Sequence, residues 1–169
     1  GRPTNLFLLP HFNGGGPPSM DGWSLGAVLG LSLRTTKGDL TRALLEGMTY
    51  EAKLNVDAFE RLVGPIRELR AIGGAAKSPY WLQLKADIFG KRTVTLGVSE
   101  TGCLGAALLA GVGGGDYSSL DEGVARCVQV RSSYSPHEGR HQASRERYAL
   151  YRDVFSTLRE LNHRIAALA

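Results

Sequence analysis

The chain has 169 residues, of which 43% are hydrophobic and 21% charged, a composition typical of one globular domain or one domain plus an appendage. Its net charge of +4 comes from scattered basic residues without a Lys/Arg run, so nothing in the charge pattern supports nucleic-acid binding. No apolar stretch approaches the roughly 20 residues that span a bilayer, and its two cysteines lack CxxC spacing. We therefore expect a reduced, cytoplasmic protein with no membrane partner.

The first 38 residues are predicted to be a loop-rich lead-in. The apolar run Leu6–Leu9 ends at Pro10 and favours an extended segment. The stretch 11–23 holds Pro17-Pro18 and three consecutive glycines, which oppose regular structure.

A long helix is predicted over 39–62, where apolar residues recur at a spacing of three to four. Thr36 and Asp39 resemble a capping box, and Gly64-Pro65 ends the helix. Glu46 lies in the middle of this helix. It is either exposed or buried and paired, tying the helix to the loop around Asp21.

Strands and helices then alternate: a strand over 66–72, a helix from Ser78-Pro79 to Phe89, a strand over 91–98 and a helix over 101–112. Ser is a favourable N-cap, and Pro at the first helical position loses no hydrogen bond. This alternation predicts a βαβ unit with parallel strands. We expect Cys103 to be buried among the small apolar residues of the last helix.

The C-terminal part, 116–169, is predicted to be an appendage. It contains a short helix and strand over 117–130, a linker over 132–136 and a long helix over 141–167. An apolar stripe on this helix is expected in the core: Tyr148, Tyr151, Phe155, Leu158, Leu161 and Ile165. With 39–115 as the α/β core, we expect residues 1–169 to form a single domain.

The turn after the first predicted strand is the candidate binding site. Gly73 and Gly74 leave the backbone bare for a ligand, Ala75 and Ala76 are small, and Ser78 offers a hydroxyl. A helix N-terminus at the carboxyl end of a strand favours phosphate. Alone, however, this pattern is more typical of a plain tight turn than of a binding site, and it is neither a P-loop nor GxGxxG.

The wider segment 73–90 closely resembles the second signature of the FGGY carbohydrate kinases: Gly-Gly, a Ser or Asn, a bulky residue, Gln, Ala-Asp and Gly. The strand that follows, Glu100, the Leu104–Ala107 segment and the upstream Arg42–Gly47 segment also match the family in order. The resemblance covers about 6–151, and the xylulokinase-like branch is nearest. Two family features are absent: a Glu-Arg-Thr-Pro loop, replaced by Gly15–Pro18, and an Arg at Leu25.

The resemblance implies an α/β fold of the actin-like ATPase, or ribonuclease-H-like, type. The chain would be the C-terminal, nucleotide-binding domain, incomplete at its N-terminal hairpin and carrying a long C-terminal helix. It implies transfer of the γ-phosphate of ATP to a hydroxyl of a sugar or polyol, with Mg²⁺ held through the phosphates. Gly73, Gly74, Ala75, Ala76 and Ser78 would bind the nucleotide. Gln83 and Asp87 match as well, although on a helix they could serve only to hold it in place.

No catalytic residue is expected in this chain, because the family places its catalytic base in the first domain. No metal site is expected either, since the four histidines lack ligand spacing and are interpreted as surface residues. Ser19, Ser78 and Ser99 lack a GxSxG elbow.

Two functional hypotheses remain open. The chain is either the ATP-binding part of a carbohydrate kinase whose sugar site lies in other residues, or a non-catalytic module that binds nucleotide or pairs with a partner. A sheet without its first strands leaves an open edge, and a homodimer is one way to cover it. The absence of an initiating Met is compatible with residues upstream of Gly1.

Overall fold

The computed structural model describes residues 5–98 and 100–168. Five strands, five α-helices and one 3₁₀ helix occur in these residues: β1 Phe7–Leu9, β2 Ala27–Leu29, α1 Lys37–Val63, β3 Glu68–Ala71, the 3₁₀ helix Gly74–Lys77, α2 Pro79–Phe89, β4 Arg92–Leu96, α3 Thr101–Gly114, α4 Leu120–Cys127, β5 Val130–Tyr134 and α5 Glu138–Ala166. The α/β class and the long C-terminal helix are confirmed. None of the described helices has the length and apolar character needed to span a membrane.

The described residues form two compact units. One comprises Gly1–Pro65 together with Glu138–Ala169, and the other comprises Ile66–His137. The single domain with a lead-in, core and appendage stays a prediction.

The first unit is built on α1, β1 and α5. Strands β1 and β2 pair antiparallel, with Leu8 opposite Val28. The predicted capping box is confirmed, because the Thr36 side chain accepts from the Asp39 N–H and the Asp39 side chain accepts from the Thr36 N–H. Buried side chains of this unit form its core: Leu6, Leu8, Leu9, Ala43, Tyr50, Tyr148, Tyr151 and Val154.

The predicted stripe on α5 is only partly correct. Tyr148 and Tyr151 are buried, whereas Leu161 and Ile165 are 52% and 46% exposed. In the last turns the buried position is Asn162 instead, whose Nδ2 donates to the Leu25 carbonyl at 3.1 Å. A polar contact to the Leu25 backbone therefore replaces the expected apolar contact there.

The second unit contains a three-stranded sheet in the order β3-β4-β5. Strands β3 and β4 are parallel and flank α2, which confirms the predicted βαβ unit. Ser78 caps α2 by accepting from the Trp81 N–H, and Gly90 ends the helix in the left-handed conformation. The prediction of a linker over 132–136 is wrong. Strand β5 extends to Tyr134 and pairs antiparallel with β4.

Helix α3 runs past the predicted end at Val112 and stops at Gly115, which adopts φ +83°. The expectation that Cys103 is buried is wrong: its thiol is exposed and forms no disulfide. In α3 only Leu108 and Gly111 are buried, so most of the apolar surface of this helix lies open.

Candidate nucleotide site

The predicted Gly-Gly turn connects the end of β3 to the start of α2. Gly73 has φ +74°, a left-handed conformation that favours glycine, and the 3₁₀ helix Gly74–Lys77 follows at once. The Ala76 N–H donates to the Gly73 carbonyl at 3.1 Å, which closes this turn. The turn thus leads directly into α2, whose N-cap is Ser78.

Both glycines face open space. A Cβ atom added at either Gly73 or Gly74 would meet no heavy atom within 4 Å. Gly74 also lacks a positive φ, so its backbone is compatible with any side chain. A ligand can therefore lie directly against the backbone here.

A cavity of about 450 Å³ opens beside the turn, at the carboxyl ends of β3 and β4. Of the predicted site residues, Gly73 and Ala76 line it. Gly74, Ala75 and Ser78 are not among its lining residues, and the Ser78 hydroxyl accepts from the Trp81 N–H at 3.3 Å. The structure thus brings part of the predicted set to one cavity. The assignment of all five as nucleotide contacts stays a prediction.

Sequence reasoning missed the other side of this cavity. Thr95 of β4 and three β5 residues, Arg131, Ser132 and Tyr134, contribute to its wall. Lys77 and Arg131 are its charged residues, and no acidic side chain belongs to the described lining. The cavity therefore combines cations with hydroxyl groups, a combination suited to an anionic ligand.

Gln83 and Asp87, which match the family signature, hold the unit together. The Asp87 side chain is buried and accepts from Gln83 Nε2 and from the His137 N–H, each at 2.9 Å. Gln83 Nε2 also donates to the Ser135 carbonyl at 2.9 Å. These contacts tie α2 to the residues that follow β5.

Across residues 5–98 and 100–168, no group of three or more His, Cys, Asp or Glu side chains is arranged to hold a metal ion. The described residues therefore offer no protein cage for Mg²⁺. A metal at this site would need ligands from the bound phosphates.

The interpretation of all histidines as surface residues is wrong for His11. It is 2% exposed, and its Nδ1 lies 2.6 Å from the Ser24 hydroxyl oxygen. The Ser24 side chain is itself fully buried, so this contact belongs to the interior of the first unit. His163 is half-buried, and its Nε2 lies 2.7 and 2.9 Å from the two carboxylate oxygens of Asp21.

Of the two alternatives for Glu46, exposed or buried and paired, the structure shows the second. Its partners, however, are not in the expected loop around Asp21. It binds Arg42 Nε at 2.7 Å and Arg147 Nη2 of α5 at 3.0 Å. Glu46 thus links α1 to α5 rather than to the loop around Asp21.

Comparison with known proteins identifies the class. The model of the C-terminal domain of the FGGY family of carbohydrate kinases matches residues 2–114. Xylulose kinase of Staphylococcus epidermidis is 31% identical over 94% of this chain and 32% of its own length. Glycerol kinase 2 of Pseudomonas aeruginosa is 40% identical over 76% of this chain and 26% of its own length.

The fold agrees with these sequence matches. The ligand-bound crystal structure of xylulose kinase from Lactobacillus acidophilus superimposes with a TM-score of 0.85 at 27% identity, over 91% of this chain and 31% of that one. The chain belongs to the FGGY family of carbohydrate kinases and corresponds to its C-terminal domain, with the actin-like ATPase fold. It spans about a third of the length of these relatives.

Proposed function

We propose that this chain is the ATP-binding part of a carbohydrate kinase that transfers the γ-phosphate of ATP to a hydroxyl of a sugar or polyol in the cytoplasm. The observation that carries the proposal is the open Gly73-Gly74 backbone beside a cavity of about 450 Å³ at the carboxyl ends of two parallel strands. Family membership supports the phosphotransferase class.

In this proposal Gly73, Gly74 and Ala75 lie along the nucleotide, with Ala76 and Ser78 close to it. The N-terminus of α2 adds free N–H groups and a positive partial charge. Mg²⁺ would be held by the phosphates and would neutralise charge that develops during transfer. This chain orients the donor, and the acceptor hydroxyl and the base that orients it belong to residues outside the chain.

We propose a xylulose-like acceptor. The xylulose kinase relative aligns with 94% of this chain, whereas glycerol kinase 2 aligns with 76% despite its higher identity. Coupled kinase assays on the natural full-length protein with xylulose and glycerol test this choice. Faster turnover of glycerol at equal concentration would overturn it.

The nucleotide site is tested by calorimetry with ADP on the wild type and Gly74→Leu. The leucine has an ordinary backbone conformation and open space, so the fold should persist while the side chain occupies the ligand position. We expect at least a tenfold loss of affinity, whereas Gly22→Leu, at another glycine that faces open space, should bind ADP normally. Unchanged affinity of Gly74→Leu would contradict the site.

The second candidate function, a non-catalytic module that pairs with another copy, is favoured by the position of β3. Among the described strands of the sheet, β3 lies at an edge. Sedimentation of the natural protein tests it: a concentration-dependent dimer that Leu69→Pro abolishes would support pairing through β3, since proline cannot donate to a ladder. A monomer would exclude it.

A further inference from the structure

A β-bulge in β5 places a basic residue, Arg131, at the wall of the cavity. In the register of β4 and β5, Thr95 lies opposite Ser132 but the next residue, Leu96, lies opposite Val130. Arg131 is the extra residue between them. Bulges of this kind interrupt the ladder and redirect a side chain.

The bulge explains an otherwise irregular cavity wall. In a regular strand consecutive side chains point to opposite faces, so Ser132 and Tyr134 would share a face from which Arg131 is excluded. All three nevertheless line the same cavity. Arg131 is exposed and has no acidic partner among the described residues, so its charge is available.

Hydroxyl groups accompany Arg131 along this wall. Thr95, Ser132 and Tyr134 all line the cavity, and a hydroxyl can donate to the oxygen of an anionic ligand. The hydroxyls and the guanidinium thus belong to one wall of the cavity, which Lys77 and Gly73 also line.

We propose that Arg131 binds the phosphate groups of the nucleotide. This inference rests on the proposed function and adds to it a binding residue beyond the 2–114 segment that matches the family. A guanidinium presents several N–H donors in a planar fork that matches phosphate oxygens, and it stays charged at all working pH values. Arg131 would thereby select nucleotides that carry phosphates over the bare nucleoside.

The test is calorimetry on the natural full-length protein with two ligands, ADP and adenosine. Arg131→Gln should weaken ADP binding about tenfold and leave adenosine binding unchanged, the size expected for one charge-assisted contact partly open to water. The matched control is Arg164→Gln, which removes the same charge from an exposed position of α5 and should bind both ligands normally. Arg131→Lys should recover part of the lost ADP affinity, because lysine restores the positive charge but not the planar set of N–H donors.

The outcomes separate the two proposals. If Gly74→Leu loses ADP but Arg131→Gln binds ADP as tightly as Arg164→Gln does, the nucleotide site stands and the role of Arg131 is wrong. If Arg131→Gln weakens ADP and adenosine equally, Arg131 does not act on phosphate and the inference is likewise overturned. If the wild-type protein binds no ADP, the proposed function fails and this inference fails with it.

Discussion

Asp87 and His137 are joined by a hydrogen bond of 2.9 Å between a buried carboxylate oxygen and a backbone N–H fifty residues away in sequence. The Asp87 carboxylate also accepts from Gln83, so this pair of signature residues fastens the segment after β5 onto α2. Neither side chain lines the cavity beside Gly73, so an effect of this pair on a ligand there would come through the position of β5.

We expect Asp87→Ala to lower the free energy of unfolding by about 2–3 kcal/mol, since it leaves two donors without their acceptor. Urea unfolding measures the change, and Asp116→Ala, at an exposed position of the same unit, should change it by less than about 0.5 kcal/mol. Full stability with a selective loss of ADP affinity would instead make Asp87 a ligand contact.

Gly47→Ala and Gly105→Ala should have opposite effects on stability. Alanine is favoured over glycine within a helix by about 1 kcal/mol. At Gly47, however, a methyl group would overlap the Leu8 carbonyl oxygen of β1, whereas at Gly105 it would meet nothing within 4 Å. We expect Gly47→Ala to lower the melting temperature by several degrees and Gly105→Ala to raise it. A stabilised Gly47→Ala would show that α1 and β1 do not pack as described.

The Glu46–Arg147 pair should show strong coupling in a double-mutant cycle. Both side chains are mostly buried, and Arg147 Nη2 donates to the Leu6 carbonyl as well. Glu46→Ala alone leaves a partly buried guanidinium without this carboxylate partner and should cost about 3 kcal/mol. The Glu46→Ala/Arg147→Met variant should be less destabilised than the sum of the two single changes, measured by urea unfolding. Additive changes would indicate that the two side chains do not interact.

The Asp21–His163 contact predicts a pH dependence of stability. The hydrogen bond from His163 is the main reason why the pKa of Asp21 lies below its ordinary value of 3.8, and the Trp23 N–H and Arg159 act in the same direction. Because the folded pKa is lowered, the stabilisation is present above about pH 4 and is lost as the pH falls through the folded value. Asp21→Asn should therefore be less stable than the wild type at pH 7, with a difference that shrinks below about pH 4.

Thermal unfolding from pH 2 to pH 7 measures this dependence. Asp153→Asn, at an exposed position of α5, is the matched control and should follow the wild type throughout. A constant difference between Asp21→Asn and the wild type would show that the charge of Asp21 is not responsible.

The sequence predicts those helix ends that are marked by local capping residues. Thr36 with Asp39, Ser78 with Pro79, and Gly90 are side-chain and backbone signals readable from sequence, and the structure confirms all three ends. The alternation of elements likewise predicted the parallel pairing of β3 and β4.

The missed elements depend on partners distant in sequence. Ala27–Leu29 is too short to show a pattern and becomes a strand only by pairing with β1. The polar segment around Ser132 lacks an apolar alternation, and its strand is defined by hydrogen bonds to β4. The same holds for the candidate site. The glycine turn has a local signature, whereas the position of Arg131 at the cavity depends on the bulge in the pairing of β4 with β5.

The bulge in β5 also determines which changes of sequence this strand can accept. The side chain of residue 131 lies outside the regular ladder, so replacing it leaves the pairing of Thr95 with Ser132 in place. Deleting the residue would instead make the ladder regular, with Val130 directly before Ser132, and would remove Arg131 from the cavity wall. The pairing of β5 with β4 should thus tolerate another residue at position 131, as the Arg131→Gln test requires, whereas loss of the residue would alter the cavity wall.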